Sequence, residues 1–438
     1  MDRGRRIRSV VLAGVAGLGL VAALPGAAWA AGTAPRPVPT YRAADGAKRV
    51  EGRPSTADTA PLEIGTVHED TIGPEERFYQ LRLDATSDVY VSAVVRPPAG
   101  AKVGYGDGIE VEIISGAGTR CSGNARAGFG YDPVPVSAAA VRRVKEDGEC
   151  QAAATYYAKV TRTAAKDSDR GRWPVELLVL REPALGGGSP TVAPSVWPSA
   201  SPTLPGGASL ARTGGTGFND ARALGTGVWR DDLRPGQTRY YRVPLDWGQQ
   251  LGIGAEIAAA RMTKEYGSAS NGLTVSVYSP YRALVDSKAT SYDGKQAGVT
   301  LPKTAPVAYE NRFSDDAEMR GTRVAGWYYV AVTLGGKVGE FTEDAVPVPL
   351  TLRMDVLGTP GKAPAYRESL SAAGFGVDAA DRAAAKEGLT GPEAAAAEDN
   401  RSVMRVVATG GFGAGTVLLL VLGGWILLSR RGDGAGRR

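Results

Sequence analysis

The feature that most constrains this chain is an internal repeat, in which residues 225–248 are echoed about 160 residues earlier by residues 65–88. Both copies open with Gly-Thr and reach a turn that contains proline. They then share an Arg-aromatic-Tyr triplet, at 77–79 and 239–241, followed by Leu-Asp. A repeat of this length predicts a duplicated domain, so we expect one module used twice.

The N-terminus carries an export pattern. Residues 1–30 combine four arginines, an apolar run over 10–24 and the small residues Ala28 and Ala30, which together predict a cleaved signal peptide. The pair Arg5-Arg6 leaves the twin-arginine export route open beside the general secretory route.

The C-terminus carries an anchoring pattern. Residues 406–428 contain no charge, and as a helix about 34 Å long they would span a bilayer. The basic tail over 429–438 predicts a short cytoplasmic end, with the bulk of a single-pass protein outside the cell membrane. Gly411 and Gly415 have the spacing of a helix-helix contact, which leaves a homodimer open.

The formal net charge of +5 belongs to these two ends. Residues 1–30 carry +3 and residues 430–438 another +3, so the remainder carries −1. A nearly neutral exported part gives no electrostatic reason to expect a nucleic-acid partner.

Composition divides the rest of the chain into segments. We expect a disordered leader over 31–59, a first domain over 60–185, a Pro/Ser/Gly linker over 186–212, a second domain over 213–358 and an Ala-rich, acidic stalk over 359–405. Within the stalk, residues 379–386 predict a short helix. The linker should let the domains reorient, and the stalk should space them from the membrane.

Short alternating apolar runs predict the fold class of both domains. In the run 78–83, Tyr79, Leu81 and Leu83 share one side of a strand. Similar runs cover 89–95, 109–114, 156–162 and 175–180, and in the second domain 238–245, 250–255, 273–278, 327–332 and 348–353. Strands this short, separated by turn residues, indicate an all-β protein with two tandem jelly-roll-like β-sandwiches.

The chain has two cysteines, Cys121 and Cys150, both in the first domain. An even pair inside one exported domain predicts a disulfide. Two thiols with no neighbouring histidine make a poor metal site, so we predict no metal there.

The second domain contains a string of features that is known from one family. These are Phe218-Asn219-Asp220-Ala221, Asp232 before a turn, Pro235-Gly236 ahead of Tyr240-Tyr241, the run 273–278 and the run 326–332. In these features it resembles the bacterial pre-peptidase C-terminal domain family, and the first domain resembles it more weakly. The resemblance implies small jelly-roll sandwiches that accompany an enzyme, aid secretion or bind a matrix, some of them with calcium. The whole layout also resembles membrane proteins of high-GC actinobacteria.

Catalytic signatures are missing from the sequence. The single histidine, His68, has no partnered nucleophile, and we interpret it as a solvated loop residue. No H-E-x-x-H, G-x-S-x-G or S-x-x-K occurs. We therefore predict no enzyme, no catalytic residue and no cofactor. Carboxylate pairs leave an envelope hydrolase as the alternative: Asp231 with Asp232, Asp315 with Asp316, and Glu110 with Glu112.

Two clusters are candidates for binding. Asp315, Asp316 and Glu318 could lend oxygens to a calcium ion, with solvated acids as the other interpretation. Trp229, Tyr240, Arg242 and Trp247 could form a binding surface, with core packing of the aromatic residues as the other interpretation.

These observations favour a non-enzymatic, membrane-anchored protein that binds a protein or glycan of the cell envelope. Besides the hydrolase, a subunit of a membrane complex that contacts its partner through the transmembrane helix stays open.

Overall fold

The computed structural model describes most of the chain between residues 40 and 399. The described residues are 40–98, 100–130, 132–145, 148–188, 190, 192–194, 196–197, 200–343, 346–399, 419, 421–423 and 425. The predicted signal peptide, Gly411 and Gly415 lie outside them, as does most of the predicted membrane helix. Within the described residues, no helix has the length and apolar character needed to cross a membrane.

The first half of the described chain folds into two facing sheets. Its strands are β1 (Lys48–Arg49), β2 (Val67–Ile72), β3 (Glu76–Leu83), β4 (Asp88–Val95), β5 (Gly108–Ser115), β6 (Ala125–Gly128), β7 (Val136–Arg142), β8 (Ala154–Thr163) and β9 (Trp173–Glu182). One sheet has the order β1-β2-β9-β4-β7 and the other β3-β8-β5-β6. The inward side chains of both sheets, among them Tyr79, Val91 and Trp173, form one core. The predicted disulfide between Cys121 and Cys150 is confirmed and lies against this core.

The second half repeats this arrangement. Its strands are β10 (Leu210–Ala211), β11 (Arg222–Ala223), β12 (Gly227–Leu233), β13 (Thr238–Leu245), β14 (Gln250–Ile257), β15 (Ala269–Tyr278), β16 (Leu284–Tyr292), β17 (Ala297–Thr300), β18 (Gly326–Leu334) and β19 (Val348–Leu357). The sheet orders are β10-β12-β19-β14-β17 and β11-β13-β18-β15-β16. Two short α-helices also occur: α1 (Ala317–Gly321) lies between β17 and β18, and α2 (Ala379–Glu387) follows β19. Residues 391–399 are also helical.

The two halves share one topology. In each, a short strand pairs in parallel with the first strand of the repeat, β1 with β2 and β10 with β12, while the rest of that sheet is antiparallel. The sheets then match strand for strand, and β11 is the one addition in the second half. The protein is therefore an all-β chain with two β-sandwiches of the same design, as the repeat predicts.

The repeated residues of the first sandwich tie three chain segments together. The hydroxyl of Tyr79 and the backbone N–H of Gly52 both donate to Oδ2 of Asp70, at 2.9 and 2.8 Å. Arg77 returns a hydrogen bond from Nη1 to the carbonyl of Gly52 at 2.8 Å. A Cβ at Gly52 would lie 2.6 Å from the Tyr79 ring, so the close approach requires glycine.

The second sandwich contains the same bonds. Tyr241 and the N–H of Gly214 donate to Oδ2 of Asp231 at 2.7 and 2.8 Å, and Arg239 donates to the carbonyl of Gly214 at 3.2 Å. A Cβ at Gly214 would lie 2.8 Å from the Tyr241 ring. The Arg-aromatic-Tyr triplet thus serves the fold, because its first and third residues anchor the segment that precedes each sandwich.

The segment before the first sandwich is ordered from residue 40 onward, which differs from the expected leader. Tyr41 is buried between the two halves, and β1 pairs with β2. Residues 31–39 lie outside the described part.

The segment expected as a linker also packs against the protein. Pro202 and Leu204 lie over Gly252 and Gly254 of β14, and Arg353 donates to the carbonyl of Pro205 at 3.1 Å. The glycines leave room for these side chains, so this part of the linker is attached to the second sandwich.

Residues 359–399, expected as a stalk, cross both sandwiches. The predicted helix within them is confirmed as α2, which begins at an Asp378 capping box and ends at Gly388. Phe375 is buried against Tyr90 of the first sandwich, while Arg382 pairs with Asp246 of the second. We call residues 359–399 the strap, because they bind to both halves and do not project from them.

Candidate ligand-binding cleft

The two sandwiches meet through a buried ion pair. Glu176 of β9 is fully buried and pairs with Arg282, which lies in the turn between β15 and β16 of the other half. The Glu176 carboxylate also accepts hydrogen bonds from the Tyr41 hydroxyl at 3.2 Å and from Nδ2 of Asn219 at 2.8 Å. Because its oxygens are satisfied from three segments, this carboxylate fixes the orientation of one sandwich on the other.

A second buried network joins the halves around Arg312. This guanidinium, from the second half, donates to Asp88 at 2.8 Å and to Glu182 at 2.7 Å, both in the first. Tyr90 and the strap residue Tyr366 also donate to Glu182. Burial raises the pKa of Asp88, Arg312 lowers it and Glu182 raises it again, with a net rise. These contacts are inconsistent with the free reorientation that the linker suggested.

Beside Arg312 the sandwiches enclose a cleft of about 550 Å³. Its wall in the first half comes from β6, β7 and the residues that follow β7. Its wall in the second half comes from the turn before β16, from residues 312–315 and from α1. Among the described lining residues five are arginines and one, Asp315, is acidic. The arginines are Arg126, Arg143, Arg312, Arg320 and Arg323.

Three of these arginines have no carboxylate partner among the described residues. Arg143 donates to the carbonyl of Arg312, and Arg323 donates to that of Arg320 at 2.6 Å. Arg320 in turn donates to the carbonyls of Ser314 and Asp315 at 3.0 and 2.6 Å. Backbone carbonyls hold these side chains in place but do not neutralise their positive charge.

The pKa of Arg143 reflects the clustering of these positive charges. Burial lowers the pKa of Arg143, and the positive charges of Arg323, Arg312 and Arg320 lower it further, against the opposing effect of Asp88. An anion in the cleft would relieve this repulsion. Guanidinium groups suit the planar, bidentate binding of carboxylate, phosphate or sulfate groups.

The aromatic residues expected on a binding surface are buried instead. Trp229 and Trp247 are 7% and 4% exposed and belong to the core of the second sandwich. Tyr240 points away from that core but is covered by Tyr41 and Phe218, with ring centroids 6.0 and 5.1 Å away. The expected surface of Trp229, Tyr240 and Trp247 is therefore not formed: the two tryptophans lie in the core, and segments outside the strands cover Tyr240.

Arg242 is the fourth residue expected there, and the structure separates it from the other three. Its guanidinium stacks on Trp327 at 4.0 Å under the strap.

Of the acidic residues expected to bind calcium, Asp316 has a structural role. Oδ1 of Asp316 caps α1 by accepting from the N–H groups of Glu318 and Met319, at 2.7 and 3.2 Å. Asp315 lies in the cleft wall. The part of the chain that the structure describes contains no group of three or more His, Cys, Asp or Glu arranged to hold a metal ion.

At least one member of each carboxylate pair of the hydrolase alternative is engaged in an ion pair or an anchoring bond. Glu110 pairs with Arg126 at 2.8 Å, and Glu112 is buried and pairs with Arg120 and Lys159. Asp231 anchors Gly214 and Tyr241, as described above. Each of these carboxylates therefore has a structural role.

His68 lies in β2 and not in a solvated loop, so that interpretation is wrong. It is 3% exposed, and its Nε2 accepts from the N–H of Glu63 at 3.3 Å. The sequence did not predict β2, because charged residues interrupt the apolar alternation in this strand.

Sequence reasoning missed the cleft residues as well. Arg143 lies far from Arg320 and Arg323 in the chain, and it reaches them only because the sandwiches pack at the Arg312 network. The three arginines at 312, 320 and 323, close together in the sequence, were the one available signal.

No family model matches this sequence, and no curated protein matches it. Several solved structures overlap much of the chain at low similarity. The tandem domain CBM22-1-CBM22-2 of Xyn10C from Paenibacillus barcinonensis is 14% identical over 72% of this chain and 100% of that one, with a TM-score of 0.18. The ANXUR2 extracellular domain from Arabidopsis thaliana is 9% identical over 70% and 87%, with a TM-score of 0.17. A secreted protein from Parabacteroides distasonis is 11% identical over 73% and 93%, with a TM-score of 0.16. At such scores these likenesses identify neither a fold family nor a function.

Proposed function

We propose that this protein is a non-enzymatic binding protein of the cell envelope, and that the cleft between its sandwiches binds an anionic ligand. The observation that carries the proposal is the group Arg143, Arg320 and Arg323, whose charges have no carboxylate partner in the described structure. Backbone hydrogen bonds hold these side chains before any ligand arrives, which lowers the entropic cost of binding.

The ligand class follows from the size and charge of the cleft. A volume of about 550 Å³ is in the range of sites for small molecules or for one unit of a polymer. A phosphate, sulfate or carboxylate group on an envelope glycan or protein would meet the three guanidinium groups together. The resemblance to pre-peptidase C-terminal domains fits such an accessory role.

The location is a part of the same proposal. A signal peptide over 1–30 would export the sandwiches, and a helix over 406–428 would hold them at the cell membrane with the tail 429–438 in the cytoplasm. A protein tethered in this way would meet anionic polymers of the envelope at high local concentration.

A hydrolase is the less favoured function. It needs two carboxylates that face one substrate, whereas Asp315 is the one acidic residue in the described cleft wall. We therefore assign the cleft to binding.

The test is calorimetric titration of the full-length protein in detergent with inorganic pyrophosphate. Replacing two of the arginines, R143Q with R320Q, should weaken binding by at least about tenfold, since each charge-assisted hydrogen bond contributes about 1.5–3 kcal/mol. The control is R230Q, at an exposed position of β12, which should keep the affinity within about twofold. No binding by the unaltered protein, or equal binding by both variants, would contradict the proposal.

A further inference from the structure

One wall of the cleft contains the edge of a β-sheet. Strand β7 is the last strand of its sheet and pairs only with β4 in the described structure. Its residues 137, 138, 139 and 141, and residue 143 just beyond it, line the cleft. The edge of β7 that faces away from β4 has no strand beside it among the described residues.

The direction of the backbone groups along this edge follows from the register. The N–H of Arg96 donates to the carbonyl of Pro174 at 3.0 Å, just past the last pair of β4 with β9. Bonded and non-bonded pairs alternate in an antiparallel ladder, so even-numbered residues of β4 bond to β9 and odd-numbered residues bond to β7. Val91 lies opposite Ala140, and the even-numbered residues of β7 therefore bond to β4. The N–H and C=O groups of the odd-numbered residues point the other way, and these are the residues that line the cleft.

Ala139 and Val141 are the odd-numbered residues in the middle of β7. Both are half-buried, and no hydrogen bond within the described residues reaches their outward N–H and C=O groups. At Arg143 the corresponding carbonyl is used, because Nε2 of Gln151 donates to it at 3.3 Å. Two backbone donors and two acceptors are thus left free at the spacing of a strand.

The edge of β7 lacks the protection that other long edge strands of this protein have. Proteins guard such edges with covering segments, charged side chains, proline or bulges. Bridges from Arg53 and Pro61 cover β3, and β16 contains Asp286 and Lys288. In β7 no residue is a proline, the register has no bulge, and the one charged residue is the last. Such an edge can accept an additional strand.

Two contacts between the sandwiches mark the ends of this edge. Oγ of Ser137 donates to the carbonyl of Arg282 at 2.8 Å, and Arg143 donates to the carbonyl of Arg312. The chain between Ser137 and Arg143 is about 20 Å long at about 3.3 Å per residue. An extended segment of a few residues would therefore have room to lie along it.

The two ends of the edge differ in chemistry. At the Arg143 end, Arg320 and Arg323 lie close enough to repel its guanidinium. Near the Ser137 end the facing wall is apolar and includes Ala283 and Leu284. The free backbone groups therefore lead from an apolar end of the cleft to a cationic one.

We propose that the cleft binds an extended peptide as an additional strand on β7, with a carboxylate of the peptide at the Arg143 end. This inference rests on the proposed function, since the arginines assigned there to anion binding would hold the carboxylate. The peptide backbone would exchange N–H···O=C bonds with Ala139 and Val141. A row of alternating donors and acceptors at strand spacing matches a peptide backbone, which favours a protein partner over a glycan.

The carboxylate has two possible sources with the same chemistry. It is the C-terminus of a peptide that runs parallel to β7, or it is an acidic side chain. Guanidinium groups bind either one in the same bidentate way.

The experiment is calorimetric titration of the full-length protein in detergent with three peptides of β-branched residues, which favour the extended state. N-acetyl-Thr-Val-Thr-Val-Thr has a free C-terminus, and N-acetyl-Thr-Val-Thr-Val-Asp-amide has a side-chain carboxylate only. N-acetyl-Thr-Val-Thr-Val-Asn-amide is the neutral control. We expect at least one charged peptide to bind, and the tighter one identifies the source of the carboxylate. The neutral peptide should bind at least about tenfold more weakly, since it loses the charge-assisted hydrogen bonds.

A proline at position 139 tests the role of the free edge. Ala139→Pro removes an outward N–H but no bond to β4, and proline is tolerated at such edge positions. This variant should bind the charged peptide at least about tenfold more weakly, because a peptide carbonyl is left without its donor. Its affinity for inorganic pyrophosphate should stay within about twofold, since the arginines are intact. Ala139→Ser keeps the N–H and is the matched control, with peptide affinity within about twofold.

Peptides methylated on alternate backbone nitrogens give a test that needs no protein variant. Only one of the two alternate sets of N–H groups faces β7 in an added strand. Methylation of that set should abolish binding, while methylation of the other set should leave it measurable. Should Ala139→Pro fail to fold, this comparison decides.

The results separate this inference from the proposed function. Binding of pyrophosphate without binding of either charged peptide would overturn the added strand and leave the anion site in place. Binding of neither pyrophosphate nor peptide would overturn both. Equal peptide binding by Ala139→Pro and Ala139→Ser, or by the two methylated sets, would show that charge alone holds the peptide and would also overturn the added strand.

Discussion

Tyr79 and Tyr241 show how a repeated residue can look functional and still be structural. Each occupies the third position of the Arg-aromatic-Tyr triplet, and each donates to a carboxylate that also holds a glycine N–H. Burial raises the pKa of Tyr79, and Asp70 raises it further. The hydroxyl therefore stays protonated and remains a donor across the physiological range. Both halves form these bonds, which gives the repeated triplet a structural role.

His68 permits a clean test of burial, because it is the single histidine of the chain. Its pKa is lowered from 6.5, first by burial and also by Lys48, while the hydrogen bond with Thr66 and the charge of Glu63 oppose the shift. The unfolded chain therefore binds a proton at higher pH than the folded chain does. Stability from this group is present above pH 6.5 and is lost as the pH falls through that value towards the folded pKa.

We accordingly expect the imidazole of His68 to titrate below 6.5 in an NMR titration. The free energy of unfolding should fall as the pH drops below 6.5, and each unit of pKa depression corresponds to about 1.4 kcal/mol. In H68Q this part of the pH dependence should disappear. A His68 pKa at or above 6.5 would place the side chain in water and contradict the buried position.

At the scale of elements, ten of the nineteen described strands were predictable, and the packing of the segments outside the strands was not. All ten apolar runs named from the sequence lie in strands, because alternation reports one buried face directly. By contrast, β2 and β12 contain several charged residues and were missed. The strap and the linker are rich in alanine or proline, which predicts no core of their own. The strap nevertheless packs against the first sandwich through Phe375, and the linker packs against the second through Leu204.

The same reasoning explains what was missed at the sites. The sequence identified Arg242 and the aromatic residues of β13 from local pattern. Their burial depends on Tyr41, Phe218 and α2, which lie far away in the chain and come close only in the folded protein. The alternation that marks a β strand is local enough to infer, whereas coverage of an outer sheet face is not.

The strap predicts a measurable stability effect at Phe375. This ring is 2% exposed and contacts Tyr90 of the first sandwich at a centroid distance of 5.5 Å. Phe375→Ala should lower the free energy of unfolding by about 3–5 kcal/mol in urea denaturation. Tyr266→Ala, at a ring that is 81% exposed, is the matched control and should change it by less than about 0.5 kcal/mol. Equal effects of both variants would mean that the strap is the free stalk first expected.

At the scale of the whole molecule, the two sandwiches behave as one body because their contact buries charge. Glu176 pairs with Arg282 at one part of the interface, and Asp88 and Glu182 pair with Arg312 at another. Two separate buried networks define a single relative orientation of the sandwiches. A movement of one sandwich that broke either network would expose a buried carboxylate or leave it without its arginine. Both the cleft and its arginines depend on that orientation, which links the stability of the interface to the proposed binding.

Breaking the first network should therefore uncouple the sandwiches. Arg282→Met leaves Glu176 buried without its cation, which should cost about 3–5 kcal/mol of the coupling between the halves. In calorimetry of the full-length protein we expect one unfolding transition for the unaltered chain and two for the variant, because the remaining contacts no longer hold the halves to a common midpoint. Replacing Glu176 as well, in E176Q/R282M, should recover part of the loss, since the orphaned carboxylate is then neutral while Tyr41 and Asn219 keep an acceptor. R230M should melt like the unaltered protein. A single transition in R282M at an unchanged midpoint would show that this ion pair does not join the halves. The orientation of the cleft walls would then depend on the Arg312 network alone.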